Sequence, residues 1–257
     1  FVRSANRSAL IDSFDRNIAP TVDDSPYFFN FTRWTRPVVA AETIGEPTYI
    51  SQGNPLFVLG HLTLGLLVAG LVLFGTVRMG RGSVPPVAPT AYFALVGIGF
   101  IGIELGLMQK LSLFLGHPLL SLSITLAGLL MSTGIGALWS GQWMKRRWWL
   151  GWVPLGLAVW IGTLLVGMPW MMSQTLDLGT GGRALLAMAV LAPGGVLLGI
   201  PFAWGLATVR RDVVPWAWAV NGFCTVIGAV LTVVVSMVAG FSTVLVGSVA
   251  AYGIAVV

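Results

Sequence analysis

From Pro55 onward, apolar residues run in long blocks broken by short clusters of glycine, proline and basic residues. The blocks are continuous and do not alternate, so they fit helices in a bilayer and not the strands of a membrane barrel. A bilayer-spanning helix needs about 20 apolar residues. Seven spans are predicted on that basis: 57–77, 91–115, 119–140, 149–171, 184–206, 216–239, and a last one that opens near Phe241 and is still apolar at Val257. Gly116-His117-Pro118 makes a tight break between the second and third. Pro193 and Pro201 are expected to kink the fifth, while Pro154 and Pro169 sit near the ends of the fourth.

Residues 1–55 have a different texture. They hold most of the acids (Asp12, Asp15, Asp23, Asp24, Glu42 and Glu46) together with Arg3, Arg7, Arg16, Arg33 and Arg36. Pro20, Pro26, Pro37, Pro47 and Pro55 cut the segment into short pieces. It is too short to bury a core alone, so it is expected to dock on something else. The aromatic group Tyr27, Phe28, Phe29, Phe31 and Trp34 is placed at the membrane interface. The expected architecture is an all-α integral membrane protein. A short irregular segment, 1–55, precedes a bundle of about seven transmembrane helices over 56–257.

Composition sharpens this. The chain has 257 residues, 56% hydrophobic and 9% charged, where soluble domains carry about 25% charged residues. The mean hydropathy of +0.87 does not suit a water-facing surface. The net charge of +5, from 14 Lys+Arg against 9 Asp+Glu, would in a soluble protein point to nucleic acid. Here no basic stripe with interleaved aromatics exists, so nucleic acid is excluded as a partner and lipid headgroups are the expected one. The single cysteine, Cys224, excludes an internal disulfide and a cysteine metal cluster. The chain opens on Phe1 and stops inside an apolar run, which creates the expectation of a longer polypeptide.

Loop charges give an orientation. Arg78 and Arg81 follow the first span, Lys145, Arg146 and Arg147 the third, and Arg210 and Arg211 the fifth. These loops share one side, which the positive-inside rule assigns to the cytoplasm. Residues 1–55 then lie outside. Gly102 and Gly106, and Gly195 and Gly199, are four apart on their helices, a spacing that permits close helix contact or self-association.

Few residues carry chemistry. Glu104 lies near the middle of the second span, where an ionised carboxylate costs roughly 2.5–3.5 kcal/mol even on the lenient insertion scale. It is expected to face the bundle interior, as a proton or ion relay or as a buried hydrogen-bonding group. Gln109 and Lys110 follow on the same helix. Lys110 is about 240° round from Glu104, which excludes an intrahelical pair and leaves it to snorkel to the interface. His61 and His117 have no neighbouring carboxylate, so a metal site is not expected, and each is read as a cap or interfacial hydrogen-bonding group. Asn221 is an intramembrane amide suited to an inter-helix hydrogen bond. No phosphate-binding loop, dinucleotide fingerprint or nucleophile elbow is present, and Gly179-Thr-Gly-Gly182 reads as a turn.

Three stretches carry a resemblance. They are Pro20-Thr-Val-Asp-Asp-Ser-Pro-Tyr-Phe-Phe29, then Gly102-Ile-Glu-Leu-Gly-Leu-Met-Gln-Lys110 continuing to Gly116-His117-Pro118, and Trp216-Ala-Trp-Ala-Val-Asn-Gly222 with Gly240-Phe-Ser242. Together they resemble the membrane half of bacterial membrane-bound spermidine synthase-like proteins, from about residue 20 to the end. The resemblance implies a bacterial inner membrane location. It also implies an aminopropyl- or methyltransferase-like domain, with a cofactor of the S-adenosylmethionine type, ahead of the helices. No motif for that cofactor occurs in this chain, so catalytic and cofactor residues are not assigned. A domain using such a cofactor belongs in the cytoplasm, which conflicts with the orientation read from the loops. Three functions follow: a membrane scaffold or complex subunit, the anchor of a synthase-like enzyme, and a proton-coupled transporter using Glu104.

Overall fold

The computed structural model describes residues 11–14, 17, 18, 20–27, 33, 55–79, 86–143, 150–175 and 177–256. These form an all-α protein with six long helices: α1 (Pro55–Met79), α2 (Val87–Leu115), α3 (Pro118–Trp143), α4 (Trp152–Gln174), α5 (Thr180–Thr208) and α6 (Val214–Val256). Five of them, α2 to α6, are long and apolar enough to cross a membrane. The sequence predicts about seven spans. In α1 the apolar stretch is shorter, over Val58–Val72, and the sixth and seventh predicted spans are both contained in α6.

Helix α6 is not one rod. Gly240 has φ 83° and ψ 163°, which breaks the helical backbone. Before the break α6 climbs α2 in parallel: Trp216 Nε1 donates to Thr90 Oγ1, Asn221 Nδ2 donates to the Phe93 carbonyl, and Gly228 meets Ile98 and Ile101. Beyond the break it descends the same helix, because Leu245 meets Gly106, Ser248 meets Gly102 and Tyr252 meets Gly99. The two legs are therefore antiparallel, and the chain reverses at Gly240.

The break between α2 and α3 has a complete local explanation. Gly116 takes the left-handed conformation (φ 73°) and its N–H bonds to the Ser112 carbonyl, closing α2. His117 starts α3: its carbonyl accepts from Ser121 N–H, and its Nδ1 accepts from Leu119 N–H at 3.3 Å. Pro118 fills the first helical position, where no N–H is needed.

The core runs between the helices, through Ile103, Leu107 and Leu111 of α2, Leu129 of α3, Leu157 and Ile161 of α4, Leu191 and Leu198 of α5, and Leu245 and Tyr252 of α6. Helix α2 packs mainly on α6, and α3 on α5. The predicted glycine pairs lie in these contacts. A β-carbon on Gly106 would fall 2.8 Å from Leu245 Cδ2, one on Gly102 would strike Ser248, and Gly195 and Gly199 abut Ser132 and the Thr133 backbone. These four positions are covered within the chain and so are not open to the self-association expected there. Helix α5 runs on through Pro193 and Pro201.

The outer surface stays apolar. Val166 is 82% exposed, Leu138 75% and Trp170 70%. Only 22% of the most apolar window of α4, and 33% of that of α6, is buried in protein. Helices with so much outward-facing apolar surface are solvated by lipid.

Candidate functional site

The reversal at Gly240 creates a problem that a distant segment solves. A helix that begins after a break presents N–H groups without intrahelical partners. The tight turn Val22–Ser25, closed by Ser25 N–H to the Val22 carbonyl at 2.9 Å, brings Asp24 to that point. The Asp24 carbonyl accepts from Phe241 N–H at 2.9 Å. Its carboxylate accepts from Ser242 N–H at 3.0 Å and from Ser242 Oγ at 2.6 Å. Asp24 thus caps the second leg of α6 from 218 residues away, and its negative charge sits where the helix dipole favours an anion.

Lys110 completes the junction, donating from Nζ to Asp24 Oδ1 at 2.7 Å. Lys110, expected to reach the interface, does so paired with Asp24, its side chain being 20% exposed. Gly240 is required twice, by its positive φ and because a β-carbon there would strike the Asp24 carboxylate. The following residues grip the first leg. Ser25 Oγ donates to the Ser236 carbonyl at 3.2 Å, and Tyr27 Oη lies 2.5 Å from Ser236 Oγ. Since Ser236 Oγ donates to the Val233 carbonyl, Tyr27 is the donor to Ser236. The Tyr27 ring stacks on Phe241, with centroids 6.1 Å apart.

Two opposed effects act on Asp24. Partial burial pushes its carboxyl up. The bonds from Lys110 and Ser242, with the Lys110 charge, outweigh this and hold it below the usual carboxylate value. The adjacent Asp23 is exposed. It lines a cleft of about 310 Å³ with Lys110 and Leu113 of α2 and Leu164, Leu165, Met168, Pro169 and Met172 of α4.

The other sequence candidates do not gather here. Glu104 is half-buried on the stripe of α2 that carries Gly97 and Ile101, which face the first leg of α6. Gln109 is half-buried one residue before Lys110. His117 caps α3, and Asn221 bonds α6 to α2 at 3.1 Å. His61 is exposed on α1. Of the N-terminal aromatic group only Tyr27 is among the described residues. Arg78, Arg81, Lys145, Arg146 and Arg147 have no described side chains. Among the described residues no three His, Cys, Asp or Glu side chains gather as a metal site requires.

Sequence reasoning assigned no role to Asp24, Ser236 or Ser242. One signal pointed to Asp24: Lys110, lacking an acid on its own helix face, needs a partner from elsewhere. No protein-family model, curated protein or solved structure matches the chain.

Proposed function

We propose that the chain is a multi-pass membrane scaffold, which fixes a non-membrane segment at one end of its bundle as part of a longer polypeptide or complex. The observation that carries this reading is the set of four donors on Asp24, supplied by α2 and the second leg of α6. A flexible tether needs no such contacts. A segment that must present an attached domain or partner in one orientation does.

The three stretches that resemble spermidine synthase-like membrane proteins also supply the clamp. Asp24, Lys110 and Gly240-Phe-Ser242 come from these stretches and meet at one point. A transferase-like domain with an S-adenosylmethionine-type cofactor beyond the N-terminal side of the clamp requires that side to be cytoplasmic, so it belongs to the anchor alternative and not to the scaffold reading, in which the loop charges set the orientation. The membrane is the bacterial inner membrane, and the loops near Arg78, Arg146 and Arg210 face the cytoplasm. In support, Arg210 and Arg211 sit at the Thr90–Trp216 end of α2. Asp24 sits by Lys110, about 30 Å further along at 1.5 Å per residue, the depth of a bilayer core.

The test is co-purification from native membranes in mild detergent, with wild type compared to a Ser242→Ala, Lys110→Met double variant. Partners or an attached domain held by wild type and lost from a folded variant support the scaffold. Identical partner sets would overturn it. A transporter reading rests on Glu104, whose position on an inward stripe suits a relay. Proton-coupled flux lost in Glu104→Gln would favour it.

A further inference from the structure

The cleft between α2 and α4 has a mostly apolar lining that includes one acid and one base. Leu113, Leu165, Met168 and Met172 supply apolar lining, and Asp23 and Lys110 belong to the same cleft. Its volume of about 310 Å³ falls at the small end of ligand sites. Lys110 lies in the last turns of α2, at the depth where a span meets the headgroups.

The charges differ in how far they are already satisfied. Asp24 is held by four donors. Asp23 beside it is exposed and has no hydrogen bond or ion pair among the described residues. Lys110 has three N–H donors and gives one to Asp24. The lining therefore offers a carboxylate acceptor and ammonium donors.

We propose that this cleft binds one phospholipid with a primary-ammonium headgroup, of the phosphatidylethanolamine type. Its ammonium group donates to Asp23, its phosphate accepts from Lys110, and one acyl chain lies along Leu113, Leu165 and Met168. A carboxylate selects a primary ammonium over a trimethylammonium head because only the former has N–H donors. The site requires the bundle to lie in a bilayer and is independent of the scaffold role.

Native mass spectrometry of the full chain, extracted from nanodiscs of equal phosphatidylethanolamine and phosphatidylcholine, tests this. One ethanolamine lipid should be retained over choline lipid by about fivefold or more. Asp23→Asn should abolish the preference, and Leu113→Trp, which fills the cleft, should abolish retention of both. Asp23 is exposed, so its replacement leaves the bundle intact, as the unchanged melting temperature will verify. Equal retention of both lipids by wild type, or a preference that survives Asp23→Asn, would overturn the proposal. So would stronger retention of phosphatidylglycerol when it is added as a third component.

Discussion

Lys110 Nζ lies 2.7 Å from Asp24 Oδ1, joining two residues 86 positions apart. The pair differs from an ordinary surface ion pair because the same carboxylate also caps the second leg of α6. Charge-assisted hydrogen bonds contribute about 1.5–3 kcal/mol each when buried, and less here because Asp24 is 35% exposed. Asp24→Ala is expected to destabilise the bundle by about 2–3 kcal/mol and to release residues 20–27 to limited proteolysis. The exchange Asp24→Lys with Lys110→Asp should not restore stability, since a cation at position 24 would face helix N–H groups. Thermal melts of the two variants beside wild type check this, and full rescue by the exchange would show that the ion pair alone matters.

Gly240→Ala carries two costs. A left-handed backbone costs an L-residue roughly 1–2 kcal/mol, and the added β-carbon displaces the Asp24 carboxylate. A loss of about 3 kcal/mol is expected, with loss of the protected N-terminal segment. Gly247→Ala, on the exposed side of the same leg with open space around it, should change stability by under about 1 kcal/mol. Similar melting temperatures for the two variants would contradict the hairpin geometry.

How much of this was legible depended on range. The spans from α2 to α5 follow from local apolar runs. The boundary drawn between Ala239 and Phe241 coincides with the break at Gly240. The Gly116-His117-Pro118 punctuation also reads directly as a cap, a stop and a start. The junction was not legible as a site, because Asp24 and Ser242 meet only after the whole bundle has packed, and no spacing rule reaches 218 residues. Glu104 drew attention through the cost of its charge, and that cost alone names no partner.

Stability should fall in acid through Asp24. Its carboxyl is held below the usual value in the folded state, so the clamp's contribution is fully present above the unfolded pKa of about 3.9. It is lost as pH falls through the lower folded value. The stability difference between wild type and Asp24→Asn should be constant from pH 5 to 8 and shrink progressively below about pH 4. Thermal melts across that range check the sign, and a difference that grows toward acid would refute it.

Glu104 separates the transporter reading from the scaffold reading. It is half-buried on α2 and has no hydrogen bond or ion pair among the described residues. With no partner among the described residues, replacing it by leucine removes a polar group from an apolar surrounding. Glu104→Leu is then expected to insert normally and to leave stability unchanged or raised by about 1–2 kcal/mol. A loss of 2 kcal/mol or more would reveal a structural partner. If stability holds while proton-coupled flux in proteoliposomes disappears, Glu104 serves a relay and the scaffold is incomplete as a description. If stability, partner binding and flux are all unchanged, the carboxylate is tolerated and has no role in the bundle.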